Sequence, residues 1–454
     1  MLIPRSVVPG NLWPVIPEPV GASMLAMQFQ FEQSQWWPPD VIRNNQTRQI
    51  RLLLDHAVTT VPYYGKLLGK GADEFAGIDS DEWRQIPMLR RADIQAAGDT
   101  LLSNALPPAH GRRLAYQSSG STGEPIKSYG SELTLFFINA LNLRDHLWHD
   151  RNLSAKIAAI RSKVTAQTHP GWGMATDVAF DTGPLAALDI VTDVEAQLQW
   201  LVQQDPVYLL TSPPNALELA RLSIATGVRP VNLREVRTFG ETLPQDLRMT
   251  CRKAWGVPVT DIYSAEEVGA IALQCPGHEH YHVQAENLLV EILDEQGRPC
   301  RPGETGRVVI TTLHNFAMPL VRYENGDYAE VGEPCPCGRG LTVLKRIMGR
   351  QRNMVSLPDG TRHWPSFPSE TWMDIAPIRQ IQLVQRTLQQ IDARIVASRA
   401  LTPQEENSFI LALQDSLGYP FNIVVNRVDA IPRAANSKYE DFISEVPLNP
   451  SSTP

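Results

Sequence analysis

The sequence predicts an α/β protein with a parallel sheet in its middle, a β-rich stretch behind it and a small α/β unit at its end. Three observations carry this. Between about 150 and 270, short β-rich runs alternate with segments long enough for helices, the pattern of parallel βαβ units. Beyond Cys275, extended segments follow one another with glycine and proline turns between them. After about 350 come two β-like runs, a helix and another strand.

Taken in order, the chain has an irregular, proline-rich start. Residues 41–58 then place Ile42, Ile50, Leu53, Leu54 and Ala57 at near-helical spacing, and Val61-Pro-Tyr-Tyr-Gly65 breaks the helix. In the middle, strands are expected at 156–161, 207–211, 236–239 and 257–263, and helices at 193–203, 215–225 and 245–255. Such sheets bind ligands at the carboxyl ends of their strands. The β-rich part, about 270–345, has expected strands at 288–293, 308–313 and 320–323. The final unit should hold strands at 380–385, 392–397 and 423–428, a helix at 403–417 and a disordered polar tail after Pro447. The expected division is 1–349 and 350–454.

Composition bounds the function. An apolar share of 43% and a charged share of 20% are those of an ordinary globular chain. A formal net charge of −8 speaks against duplex nucleic acid as a partner, since neutralising many phosphates needs a concentrated basic face. Short basic pairs such as Arg90-Arg91 and Arg112-Arg113 read as solvated surface. The start, Met-Leu-Ile-Pro-Arg with Pro9 soon after, lacks the apolar core of a signal peptide, and no apolar run suits a bilayer. A cytoplasmic location is expected. The oligomeric state is left open, a dimer being compatible. Five cysteines in so long a chain point to free thiols or metal ligation.

Chemistry concentrates first in Tyr116-Gln-Ser-Ser-Gly-Ser-Thr-Gly-Glu-Pro125. Glycines let backbone N–H groups approach an anion, and Ser118, Ser119, Ser121 and Thr122 add hydroxyl donors around Gly120 and Gly123. A phosphate-gripping loop follows, although alone the segment reads more readily as a surface turn. Four more segments stand out: Thr238-Phe-Gly-Glu-Thr-Leu243, Asp261-Ile-Tyr-Ser-Ala-Glu-Glu-Val-Gly269, Arg322-Tyr-Glu-Asn-Gly-Asp327 and Ile431-Pro-Arg-Ala-Ala-Asn-Ser-Lys438. Singly, they read as a strand-end turn, a solvated glutamate pair, an Asn-Gly-Asp turn and an exposed lysine.

These five segments, in this order, resemble the motifs of adenylate-forming enzymes, and from about 45 to 446 the chain is similar to their phenylacetate–coenzyme A ligase branch. The resemblance implies a large N-terminal adenylate-forming domain and a small C-terminal lid domain that rotates between half-reactions. It implies ATP, Mg²⁺ and a carboxylic acid, aryl or arylacetic, as substrate, with coenzyme A as the thiol. Gly240 and Glu241 would line the adenine pocket, Tyr263 would stack on adenine, and Glu267 would hold Mg²⁺. Asp327 would accept from the ribose hydroxyls, Arg350 would sit near ribose or phosphate at the hinge, and Lys438 would be the catalytic lysine. Trp172 and Phe239 are candidates for the acyl pocket, and core packing explains them equally well.

Some residues depart from the family pattern. Glu124 stands where lysine is usual, with Lys127 as a compensating cation; Ser264 and Ser437 replace glycines; Glu266 replaces threonine or serine; Arg352 occupies a commonly acidic position. Amide formation or carrier-protein loading therefore stays open as the second step. So does a nucleotide-binding protein without turnover, or a zinc-bearing structural partner in which the hydroxyl-rich segment is only a turn.

Cys275-Pro-Gly-His-Glu-His-Tyr-His282 is followed by Cys335-Pro-Cys337. Three thiolates and one imidazole make a closed tetrahedral Zn²⁺ site, so Cys275, His282, Cys335 and Cys337 are the expected structural ligands, with His280 as the alternative. Branches of the resembled family carry a similar arrangement.

Overall fold

A computed structural model describes residues 4–69, 76–117, 126–367, 370–431 and 440–447. The first strands, β1 (Arg113–Gln117) and β2 (Lys127–Ser131), pair antiparallel as a separate two-stranded sheet. Then come β3 (Ile157–Arg161), β4 (Gln167–His169), β5 (Leu185–Asp189), β6 (Tyr208–Thr211), β7 (Glu235–Phe239) and β8 (Val259–Ala265). They are followed by β9 (Gly269–Gln274), β10 (Tyr281–Val283), β11 (Leu288–Leu293), β12 (Thr305–Thr312), β13 (Tyr323–Val331) and β14 (Val343–Arg350). These twelve form one sheet in the order β11-β12-β13-β14-β10-β9-β8-β7-β6-β3-β5-β4. From β5 through β3, β6 and β7 to β8 the neighbours are parallel; beyond β8 they are antiparallel. The β-rich stretch is therefore a continuation of the parallel sheet, joined to it by the β8–β9 hairpin.

Helices Val194–Gln204, Pro213–Thr226 and Leu247–Trp255 cover one face of the parallel half, burying Leu198, Leu201, Leu219, Ala220 and Leu247 against Ala158, Leu209 and Val236. Fully burying one such leucine contributes about 1.5–3 kcal/mol, so the layer is held by many modest terms. The boundaries follow local chemistry. Asp193 caps its helix by accepting from Glu195 N and Ala196 N, and Gly227 and Gly256 end theirs in the left-handed conformation that costs glycine least.

The opposite face is covered by helix Glu132–Trp148, which is itself covered by helix Pro19–Ser34; Gln28 Nε2 donates to Ala140 O at 2.8 Å. Neither helix was expected from the sequence. Glu132–Trp148 buries Ala140, Leu141 and Leu143 as well as Asp145 and His146, so it lacks the one-sided apolar stripe that marks a surface helix. The expected helix at 41–58 spans Pro39–Thr60, and a second, Pro62–Leu68, starts at the proline that was read as a breaker. That proline sits in the first turn of the new helix, where its missing N–H costs nothing.

The segment 320–323 is not a strand: β13 begins at Tyr323 and runs through Asn325-Gly326-Asp327. Gly326 takes φ +86°, and the β12–β13 register shifts between Arg307 and Val309, so the turn-like triplet is absorbed as an irregularity within a strand. After β14, the short pair β15 (Val355–Ser356) and β16 (Arg362–His363) leads to β17 (Ile378–Gln385), β18 (Gln390–Ala397), β19 (Asn422–Arg427) and β20 (Phe442–Ser444). The last four form a sheet in the order β19-β18-β17-β20, packed on helix Pro403–Leu417 through Phe409, Leu413 and Leu417. No helix among the described residues is long and apolar enough to cross a membrane.

Candidate active site

The site forms where the two halves of the long sheet meet. Strand β7 ends in Gly240 at φ +81°, and parallel to it β8 ends in the hairpin that carries Glu266 and Glu267. From the antiparallel half, β13 and β14 set Asp327 opposite Arg350. The Tyr263 hydroxyl donates to Asp327 Oδ2 at 2.9 Å. Asn325 Nδ2 donates to the Tyr263 oxygen at 2.9 Å and to Asp327 Oδ2 at 3.0 Å, while Asp327 N donates to Asn325 Oδ1 at 3.0 Å. Arg350 Nε lies 3.5 Å from Asp327 Oδ1. A carboxylate has about four lone-pair positions, so Asp327 keeps capacity for further donors.

Gly349 closes the circle. At φ +87°, a Cβ on it would come within 2.8 Å of Thr242 Oγ1, so the end of β14 abuts the 240–242 turn and only glycine lets them approach so closely. Glu267 is largely buried, and burial raises its carboxyl pKa, opposed by Arg91 and Arg350. Burial, with Glu267 and Asp327 nearby, likewise raises the Tyr323 hydroxyl. Burial followed by Asp327 does the same for Tyr263. The result is a carboxylate pair, two arginines and an aromatic ring gathered where the antiparallel strands meet the carboxyl ends of the parallel ones. This is where such a sheet binds ligands.

Two sequence-level candidates are outside the described residues: the hydroxyl-rich segment Ser118, Ser119, Gly120, Ser121, Thr122 and Gly123 with Glu124, and Ser437 with Lys438. Their flanks are described. Gln117 pairs with Lys127 across β1 and β2, which holds the ends of the first segment together. Glu440 accepts from Arg352 at 3.0 Å and 2.5 Å, which ties the chain just past Lys438 to the residues beside Arg350. Arg352 thus has a carboxylate partner for its unusual charge.

No family model matches the chain. It is 28% identical over 338 residues to the phenylacetate-coenzyme A ligase of Thermus thermophilus, covering 70% of this chain and 72% of that protein. The Escherichia coli phenylacetate-coenzyme A ligase is 25% identical over 363 residues, at 75% and 78% coverage. In structure, the chain matches 2-hydroxyisobutyryl-CoA ligase in its postadenylation state with a TM-score of 0.74, 16% identity and coverage of 91% of this chain and 92% of that one. The chain is a distant homologue of the phenylacetate-coenzyme A ligases and has the fold of the adenylate-forming CoA ligases.

Three residues near the site were missed from the sequence. Asn325 sits inside a segment read for its aspartate alone. Tyr323 was counted only as a strand residue. Arg91 was set aside as solvated, and that reading is corrected: Arg90 is 65% exposed in its ion pair with Glu324, whereas Arg91 is half-buried and acts on Glu267 and Tyr323. Adjacent arginines at a helix start point in different directions, which no local pattern reveals. Of the acyl-pocket candidates, Phe239 ends β7, and Trp172 donates Nε1 to Ala155 O at 2.9 Å and lies 5.0 Å from the His146 ring.

The Cys/His cluster lies away from this site. Cys275 follows β9, His282 lies in β10, and Cys335 and Cys337 precede β14; one ligand atom from each falls within 4.8 Å of the others. Cys275 and Cys335 Sγ are 3.8 Å apart, and Cys337 Sγ is 3.5 Å from His282 Nε2. A tetrahedral zinc with bonds of about 2.3 Å to sulfur and 2.0–2.1 Å to nitrogen requires separations of about 3.8 and 3.6 Å, so the donor set fits. Burial, then Arg339, pushes the imidazole down to about 3, leaving it neutral and able to ligate. Burial pushes the Cys335 thiol up to about 12, a cost that a bound cation would remove. His280, the alternative, is outside the group.

Proposed function

We propose that this chain uses Mg·ATP to convert an aryl or arylacetic acid into its acyl-adenylate and then passes the acyl group to coenzyme A. The observation that carries this reading is the Tyr263, Asn325, Asp327 and Arg350 constellation closing on the 240–242 turn, with Glu267 beside it. A carboxylate oxygen of the acid adds to the α-phosphorus and the bond to the β-phosphate oxygen breaks, releasing pyrophosphate. The thiolate then adds to the acyl carbonyl and AMP leaves. Asp327 holds the ribose hydroxyls, Tyr263 the adenine face, and Ser118 to Gly123 the phosphates. Lys438 neutralises charge that grows on the phosphates in the transition state.

Magnesium, bound through Glu267 and phosphate oxygens, would supply further charge neutralisation there. The structural neighbour was solved with an acyl-adenylate, R3-HIB-AMP, which supports the same chemistry for this fold. A structural zinc in the Cys275, His282, Cys335 and Cys337 cluster would brace β9, β10 and β14.

The test is ATP–pyrophosphate exchange across a panel of aryl, arylacetic and aliphatic acids. Exchange that depends on an aryl or arylacetic acid is expected, followed by thioester formation on adding coenzyme A. ATP binding without exchange for any acid overturns the reading in favour of a nucleotide-binding protein without turnover.

A further inference from the structure

Helix Glu132–Trp148 turns Ile138, Asn142 and Asp145 toward the sheet, spaced as one helical face. On β7, Glu235, Arg237 and Phe239 share the facing side, because alternate residues of a strand point the same way. The two faces meet in layers. At the carboxyl end, a Cβ on Gly269 would come within 2.8 Å of Ile138. At the amino end, Arg151 bonds Asp145 at 2.6 Å and Glu235 at 2.6 and 2.9 Å, with Thr260 at 3.0 Å. Between them, one layer below Phe239, Arg237 Nη2 reaches Asn142 Oδ1 at 3.5 Å.

Arg237 is poorly served. Its side chain is 8% exposed, and its Nε lies 2.8 Å from Asp145 Oδ2 at an angle that makes no hydrogen bond. The good geometry of both acids goes to Arg151. A buried guanidinium with spare donors is costly unless an acceptor arrives. Ile138, Asn142, Phe239 and Gly269 all remain half-buried although their elements pack helix on sheet, so this part of the interface is less tightly closed than the arginine network below it.

We propose that Arg237, with Asn142 beside it, is a specificity-determining residue that selects acids carrying a hydrogen-bond acceptor, a hydroxyl or a second carboxylate, at the end remote from the reacting carboxyl group; this rests on the acid-activating function above. Arg237 lies two positions before Phe239 on β7, a rise of about 7 Å, which suits the length of a para-substituted arylacetic acid. Burial lowers the Arg237 pKa, opposed by Asp145.

The experiment measures kcat/KM for pyrophosphate release with three acids of one skeleton: 4-hydroxyphenylacetate, 4-carboxyphenylacetate and 4-methylphenylacetate. The wild-type enzyme should prefer a hydroxyl- or carboxyl-bearing acid over the methyl acid by at least about ten-fold, since a site built to bond a polar group rejects the analogue that lacks it. Which of the two is preferred tells whether a neutral or an anionic acceptor is read. Arg237→Met should erase the preference, chiefly through KM for the polar acid, and Arg237→Lys should restore part of it. Asn142→Leu, which leaves the Arg151 network intact, should reduce the preference by itself and carries the test if Arg237→Met does not fold. A wild-type preference for the methyl acid overturns the inference. So does a uniform loss for all three acids in Arg237→Met with an unchanged ratio in Asn142→Leu. Absence of turnover with every acid of the wider panel removes the acid-activating reading itself, and the inference with it.

Discussion

At the scale of single residues, Asp327, which accepts from Tyr263, and Asp261, just before that tyrosine in β8, occupy opposite electrostatic situations. Asp327 is bonded by Tyr263 and Asn325 and faces Arg350, and its remaining lone pairs can accept further donors. Asp327→Ala should raise KM for ATP in the exchange assay by about ten-fold or more, because the loss leaves the Tyr263 and Asn325 donors misdirected as well. Tyr263→Phe keeps the ring, loses one hydrogen bond and should cost only about 1 kcal/mol. Equal losses in the two variants would contradict Asp327 as the ribose acceptor. Asp261 accepts from Thr238 Oγ1 at 2.6 Å and from the Tyr281 hydroxyl at 2.8 Å, yet burial pushes its carboxyl up to about 6. A carboxyl that binds its proton more tightly when folded stabilises the fold fully below its unfolded value near 4 and loses that contribution as pH rises through about 6. The difference amounts to roughly 3 kcal/mol. Thermal melts from pH 4 to 7 should therefore show the wild-type protein losing stability relative to Asp261→Asn, with parallel curves as the contrary result.

At the scale of elements, β9, β10 and β14 are held by their strand pairing and the main core, while the turns at their ends pack only through Cys275, Cys335, Val343 and partly buried Cys337 among the described residues, so a zinc on the four ligand atoms would add a cross-link there. Removing the metal should lower the melting temperature by several degrees and release about one zinc per chain, measured by elemental analysis before and after chelation. Cys337→Ser should do the same without chelator. Protein that is purified without chelator and carries no zinc would end the proposal. The helix Glu132–Trp148 shows the other kind of element, one buried on two sides, whose face toward the sheet holds the arginine network and whose far face holds the N-terminal helix.

At the scale of the whole molecule, the C-terminal sheet rests on helices of the parallel half through few and mostly polar contacts. Arg379 lies 3.9 Å from Glu195, Gln380 bonds Glu218, Ser366 bonds Gln245, and the Arg221 guanidinium stands 6.0 Å over Trp372. Such an interface is weak enough to break during a catalytic cycle. If this packing is the one used for acid activation, the double variant Arg379→Glu with Gln380→Glu should slow exchange several-fold by placing like charges opposite Glu195 and Glu218. It should leave acyl transfer from a preformed acyl-adenylate to coenzyme A nearly unchanged. Equal effects on both steps would deny the packing a role in the first one alone.

The sequence by itself determined the local features of this protein. The parallel strands, their flanking helices and the C-terminal α/β unit were legible because alternation, 3.6-residue spacing and cap residues report which side of each segment meets water. Each motif, and each half of the Cys/His set, was legible because its own residues stand close together along the chain. Only the tertiary structure decided that β13 and β14 would lie within one sheet with β8, bringing Asp327 to Tyr263 across 64 residues. It alone separated Arg91 from Arg90, and turned Arg237 toward Asn142 within a strand read only as a β-rich run. These pairings depend on the shapes and charges of surfaces far apart in the chain, and the burial that creates them is a property of the assembled layers, absent from any single segment.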